Sequence, residues 1–145
     1  MESCDDQFTL QRFVDAQGPV FAKVCSELRA GCKQTHWMWF IFPQLAGLGS
    51  SEMAARFAIG SKEEAQAYLA HEILGPRLRR CTQLVNEISG RSVSQIFAYP
   101  DDLKFHSSMT LFNQAAPREQ SFADALQKYF AGQPDKQTLL LLKGA

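Results

Sequence analysis

The chain is short of the features that usually settle a function from sequence. Its longest apolar run, Trp37 to Phe42, is far below the about 20 residues a membrane-spanning helix needs, so a soluble protein with no membrane partner is expected. Net charge is absent too: 15 basic and 15 acidic side chains balance, leaving no overall field to draw the chain to nucleic acid. The polar, acidic start, Met1-Glu2-Ser3-Cys4-Asp5-Asp6, lacks the basic segment and apolar stretch of a secretory signal, and a cytoplasmic location is expected. The four cysteines, Cys4, Cys25, Cys32 and Cys81, include no Cys-x-x-Cys pair and no Cys and His spacing that would hold zinc. Free thiols are expected, with Cys25 and Cys32 on one face of a helix as small apolar residues. His36, His71 and His106 are too scattered for a metal site, and neither metal nor cofactor is expected. Repeats, low-complexity tracts and linkers are missing, so residues 1–145 read as one domain.

What the sequence does have is helical periodicity. Phe8, Arg12 and Phe13 mark a first helix that Gly18-Pro19 breaks, and Val20, Phe21, Val24, Cys25 and Leu28 form the next stripe, stopped at Gly31. Ser50 or Ser51 caps a helix through Ala58. Ser61 with Glu64 reads as a capping box, and Gly75-Pro76 opens a helix carrying Leu78, Cys81, Val85 and Ile88. Asp101 or Asp102 caps a segment with Leu103, Phe105, Met109 and Phe112 inward. Phe122 to Phe130 follows, and Asp135 caps a last helix at Leu139 to Leu142. Only Trp37 to Phe42 could be argued as strand. The expected fold is a mainly α, compact, bundle-like single domain with short connections.

Two stretches concentrate chemistry. The first is His36-Trp37-Met38-Trp39-Phe40-Ile41-Phe42-Pro43-Gln44, running into Gly47-Leu48-Gly49-Ser50-Ser51. Trp37 and Trp39 are candidates to stack on a flat ring, Gln44 to hydrogen-bond it, and Gly47, Gly49 and Ser50 to offer backbone N–H groups to an anion. His36 could present a titratable ring at the pocket edge. The plain alternative is core packing followed by a tight, capped turn.

The second stretch, Asp101 to Thr110, brings two carboxylates, Lys104, His106 and the hydroxyls of Ser107, Ser108 and Thr110 within ten residues. Each group also has a structural role as a helix cap, a solvated charge or a back-bonded hydroxyl. Arg77, with Arg79 and Arg80, could clamp a phosphate or form a solvated face.

Together these segments resemble a bacterial, all-helical domain of unknown function whose members are sometimes mislabelled calpastatin. The resemblance is carried by Arg12-Phe13-Val14, Glu27 to Gly31, His36 to Gln44, Gly47 to Ser50, Glu64-Ala65, Tyr68-Leu69, Leu74-Gly75, Arg77-Leu78 and Ser107 to Phe112. It implies a compact multihelical fold and no established activity. A looser likeness links the chain to the helical NADAR proteins, glycosidases connected with ADP-ribose. It rests on an early aromatic and histidine block, a Leu-Gly-Arg-like turn and a late Lys-Phe pair, and it is an analogy only.

The function expected on these grounds is binding of a nucleotide or ADP-ribose-like small molecule in a cleft between the two stretches, with N-glycosidase-type hydrolysis as its catalytic form. Asp101 or Asp102 would then polarise water while His36 and Lys104 steady developing charge. The alternative is a non-enzymatic protein–protein interaction module with an exposed aromatic patch. A monomer, or a homodimer through Leu139 to Leu142, fits either reading.

Overall fold

The computed structural model describes residues 6–144, so Cys4 and most of the acidic start lie outside the described residues. The expected helical periodicity is realised throughout. α1 (Gln11–Gln17) passes through a 3-10 turn at Gly18–Val20 into α2 (Phe21–Arg29). The ambiguous aromatic run folds as one helical turn, α3 (Met38–Ile41). Then come α4 (Glu52–Arg56), α5 (Lys62–Ala70), α6 (Leu74–Asn86), α7 (Val93–Phe97), α8 (Asp101–Ala115), α9 (Gln120–Phe130) and α10 (Lys136–Gly144). Among the described residues, extended pairing is limited to a parallel bridge between Leu45 and Ile59, which closes the loop holding Gly47 and Gly49.

α8 is the hub. Phe105 and every residue from Ser107 to Phe112 are buried, and the helix packs against α5, α7, α9 and α10. A helix covered on nearly all sides belongs at the centre of a domain. α6, with Leu78, Cys81 and Val85 inward as expected, packs against α2, α5 and α9. Aromatic rings bind these layers. Phe105 meets Phe42 at 5.0 Å and Phe97 at 4.8 Å, while Tyr68 lies between Phe13 at 5.1 Å and Phe112 at 5.4 Å. Each such pair adds about 0.5–1.5 kcal/mol beyond its buried area.

Several local expectations need correction. Leu103 is exposed rather than inward, because it precedes Phe105 by two residues and so points nearly the opposite way on a helix. Neither Asp101 nor Asp102 supplies the cap of α8; the position belongs to Pro100, with no side-chain cap bond. Ser61 Oγ does accept the Glu64 N–H at 3.1 Å, but the Glu64 carboxylate reaches past it to the N–H of Gly60 and to Arg12. The complete capping box is Ser92 with Gln95, at the start of α7.

Among the described residues Cys25, Cys32 and Cys81 are free, as expected. Cys32 does not share a helical face with Cys25, since α2 ends at Arg29. Cys25 instead lies beside Cys81, whose thiol is pushed well up by burial and then by Cys25, leaving little reactive thiolate.

Candidate functional site

The site is built from a carboxylate in an apolar stripe. Glu27 lies on α2 between Val24 and Leu28, so its side chain turns inward and is 7% exposed. It accepts the N–H groups of Gln34 at 2.7 Å and Thr35 at 3.0 Å, the Thr35 hydroxyl at 2.6 Å and the Trp37 indole N–H at 2.9 Å. Burial by itself would raise this carboxyl, but the four donors outweigh it and hold the pKa down at about 2. The bonds fix the loop that delivers α3.

From α1, Gln17 secures the other side of that turn, donating to the Phe40 carbonyl at 2.6 Å and the Tyr68 hydroxyl at 2.9 Å. Trp37, 1% exposed, is sealed in the core and closed to a ligand. Trp39 is only half-buried, on the opposite flank of the turn.

Charge links α3 to the start of α8. Lys33 Nζ stands 2.9 Å from Asp101 and 5.0 Å from the centre of the Trp37 ring. On its other side Asp101 pairs with Lys104 at 3.4 Å, and Lys104 Nζ lies 4.9 Å over the Trp39 ring. One carboxylate therefore sits between two ammonium groups, each resting on an indole.

Beside this relay runs a cleft in two lobes. The first, about 220 Å³, is bounded by Met38, Trp39, Phe42, Gln44, Phe57 and Lys104, with backbone at Gly47 and Gly49. The second, about 230 Å³, is bounded by Gln44, Leu103, Lys104, Ser107, Asp135 and Gln137. Gln44, Gly49 and Lys104 border both lobes, which makes them neighbours across one wall. Glycine is needed at that wall, because a Cβ on Gly49 would stand 2.6 Å from the Ala54 Cβ.

The structure thus brings Trp39, Gln44, Gly47, Gly49, Lys104 and Ser107 to one cleft. It does not bring all the expected residues there. Ser50 is exposed beside Ser51, which caps α4, and His36 is exposed without lining either lobe. Asp102 accepts from Ser94 and from the Leu103 N–H. Ser108 and Thr110 are fully buried, and Thr110 accepts the Asp135 N–H at 2.8 Å. Arg77 lies over the Phe21 ring and bonds Gln17, while Arg79 pairs with Glu119, so the arginine cluster divides between two structural contacts.

No local motif marks four residues as belonging to the site: Glu27, Lys33, Gln137 and Asp135, which the sequence presents only as the helix cap it proves to be. Only Glu27 carries a usable signal, as a charged residue at an inward position of an apolar stripe. A larger depression of about 450 Å³ lies between α1 and α5. Its Asp6 carboxylate accepts the N–H groups of Leu10 and Gln11, and His71 Nδ1 accepts those of Ile73 and Leu74. Its Asp6 and His71 side chains are thus already engaged.

A family described as a protein of unknown function, DUF1810, matches residues 7–142. The chain belongs to the DUF1810 family. This DUF1810 chain is also similar to the crystal structure of the conserved hypothetical protein Rv1873 from Mycobacterium tuberculosis. The two share 58% identity and a TM-score of 0.94, covering 95% of this chain and 99% of that one. A search of the curated proteins gave no match. The DUF1810 match agrees with the family resemblance in the sequence and with the all-helical fold. Among the described residues, no helix is long and apolar enough to cross a membrane, and no group of histidine, cysteine and acidic side chains is arranged to hold a metal.

Proposed function

We propose that this DUF1810 protein binds a small anionic ligand with a flat ring, of the nucleotide class, at Trp39 and Lys104. The observation that carries this reading is the Lys104 ammonium 4.9 Å over the half-buried Trp39 ring, at the edge of the first lobe. An accessible cation–π contact is worth only about 0.5–1 kcal/mol. A ligand ring stacking on the indole gains about 1–3 kcal/mol, and the displaced ammonium gains a charge-assisted bond to phosphate. Stacking alone thus offsets the loss of the cation–π contact.

N-glycosidase-type hydrolysis, in which water adds to the ribose carbon as the base departs with a proton, needs a carboxylate at that carbon. None lines the first lobe among the described residues, but Asp101 is held just behind Lys104. Phosphate capture by Lys104 would loosen that side of Asp101, while Lys33 at 2.9 Å keeps the carboxylate in place. Free base appearing in a chromatographic assay, and lost in Asp101→Asn, is the outcome this step predicts.

The interaction-module alternative expects one contiguous aromatic patch. Among the described residues, the exposed large apolar side chains are Ile73, Tyr99, Leu103 and Leu140, which belong to the turn before α6, the link into α8, α8 itself and α10. Of these only Leu103 lines the cleft. Thermal unfolding against nucleotides, ADP-ribose and sugar phosphates tests the binding reading, since a ligand of the folded state stabilises it by mass action. A shift that disappears in Trp39→Ala supports the cleft. No shift with any compound would move the function to a protein partner.

A further inference from the structure

α10 leaves one face without a partner. Thr138 is its buried residue, and Leu141 and Leu142 pack against the core, with Leu141 turned to the loop at Gly47. At about 100° per residue, Lys136, Leu139, Leu140 and Lys143 fall together on the side away from Thr138, in an i, i+3, i+4, i+7 pattern. Leu140 is 62% exposed and Leu139 is half-buried.

Two hollows flank this stripe. A shallow groove of about 320 Å³ runs among the four side chains themselves. The second, of about 370 Å³, is a recess where α10 passes the start of α5 and the end of α8, walled by Ser61, Glu63 and Gln114 on one side and by Leu139 and Leu142 on the other. Leu139 and Lys143 border both hollows.

Charge decides what this face fits. Lys136 and Lys143 stand at the two ends of the leucine pair, and among the described residues neither takes part in an ion pair. Among those residues the one carboxylate bordering either hollow is Glu63, next to Lys62 on the far wall. Two copies of the chain meeting on this stripe about a two-fold axis would set lysine against lysine. Lys136 would face Lys143 if the helices ran antiparallel, and its own equivalent if they ran parallel. A flat lipid surface would cover the leucines and leave the recess empty. A helix with an apolar side chain for the recess and carboxylates beside it matches the leucines, the recess and both ammonium groups.

We infer that the outer face of α10 docks an acidic amphipathic helix of a partner protein, which packs its apolar side on Leu139 and Leu140 and sets carboxylates on Lys136 and Lys143. Trp39 and Lys104 border neither hollow, so this interface stands or falls independently of ligand binding in the cleft.

Fluorescence anisotropy of labelled helical peptides, titrated with the full chain, tests this. One peptide carries two leucines on one face flanked by glutamates, and its twin carries lysines in place of the glutamates. Leu140→Asp and the double variant Lys136→Glu/Lys143→Glu change exposed side chains, so both should stay folded. The expected result is saturable binding of the acidic peptide, weakened about tenfold or more in Leu140→Asp and falling as salt is added. The double variant should reverse the preference and take the lysine peptide. Equal binding of both peptides, binding of neither, or binding that survives Leu140→Asp overturns the inference. A dimer in sedimentation that Leu140→Asp dissociates also overturns it, in favour of a second copy. Co-sedimentation with phosphatidylserine vesicles that both variants abolish overturns it in favour of a lipid surface.

Discussion

The Trp37 indole N–H donates to Glu27 Oε1 at 2.9 Å, tying the aromatic block to the helix that precedes it by ten residues. This bond separates the two tryptophans by role. Trp37 is spent on the core, and Trp39, one turn-flank away, is left for the cleft. Trp37→Ala should cost about 3–5 kcal/mol, as for other fully buried aromatic truncations. Trp39→Ala should cost distinctly less. Urea unfolding of the two variants measures the difference, and equal losses would erase the distinction.

Acid should weaken this anchor in a defined window. The Glu27 carboxyl has a folded pKa of about 2 against an ordinary 4.5, so its ionised form stabilises the fold. That stability is fully present above about pH 4.5 and is lost as the pH falls toward 2. Its size is on the order of 3 kcal/mol, at about 1.4 kcal/mol per pH unit. Glu27→Gln should be less stable at pH 7 and should flatten the acid limb of the stability profile. An unchanged limb would show that other carboxylates govern it.

Gly49→Ala should destabilise by about 1–3 kcal/mol, because the added methyl meets Ala54 at 2.6 Å and one of the two must move. Since Gly49 borders both lobes, ligand binding should fall further than stability does. Thermal unfolding with and without a saturating nucleotide reads both effects.

Ser92→Ala removes one half of the Ser92 and Gln95 capping box and should cost about 1 kcal/mol without touching the cleft. Equal ligand-induced stabilisation of this variant and the unmodified protein would be the expected control.

The helical order and most of the core are legible in the sequence because they follow local rules. The stripes of α2, α6 and α9, the serine caps and the glycine stops all depend on neighbours within one or two turns. The aromatic block is harder, since six consecutive apolar residues carry no period, and only the Glu27 and Gln17 anchors fix it as a helical turn. The cleft is legible in part. Trp39, Gln44, Gly49, Lys104 and Ser107 lie in the two stretches where chemistry is concentrated. Asp135 and Gln137 join them only because α10 folds back on α8, a contact that no local pattern encodes. Trp37, Ser108 and Thr110 have site-like chemistry but face the core, since residue type alone does not specify facing.

Calorimetric titration of ribonucleoside 5′-monophosphates into the unmodified protein, Trp39→Ala and Lys104→Met decides whether Trp39 and Lys104 form a ligand site. Lys104 makes only a cation–π contact and an ion pair near the surface, so its loss should change stability by about 1 kcal/mol or less. Single-site binding by the unmodified protein is expected, weakened at least tenfold in both variants while they remain folded. Binding that is absent, or that survives both substitutions undiminished, would contradict it.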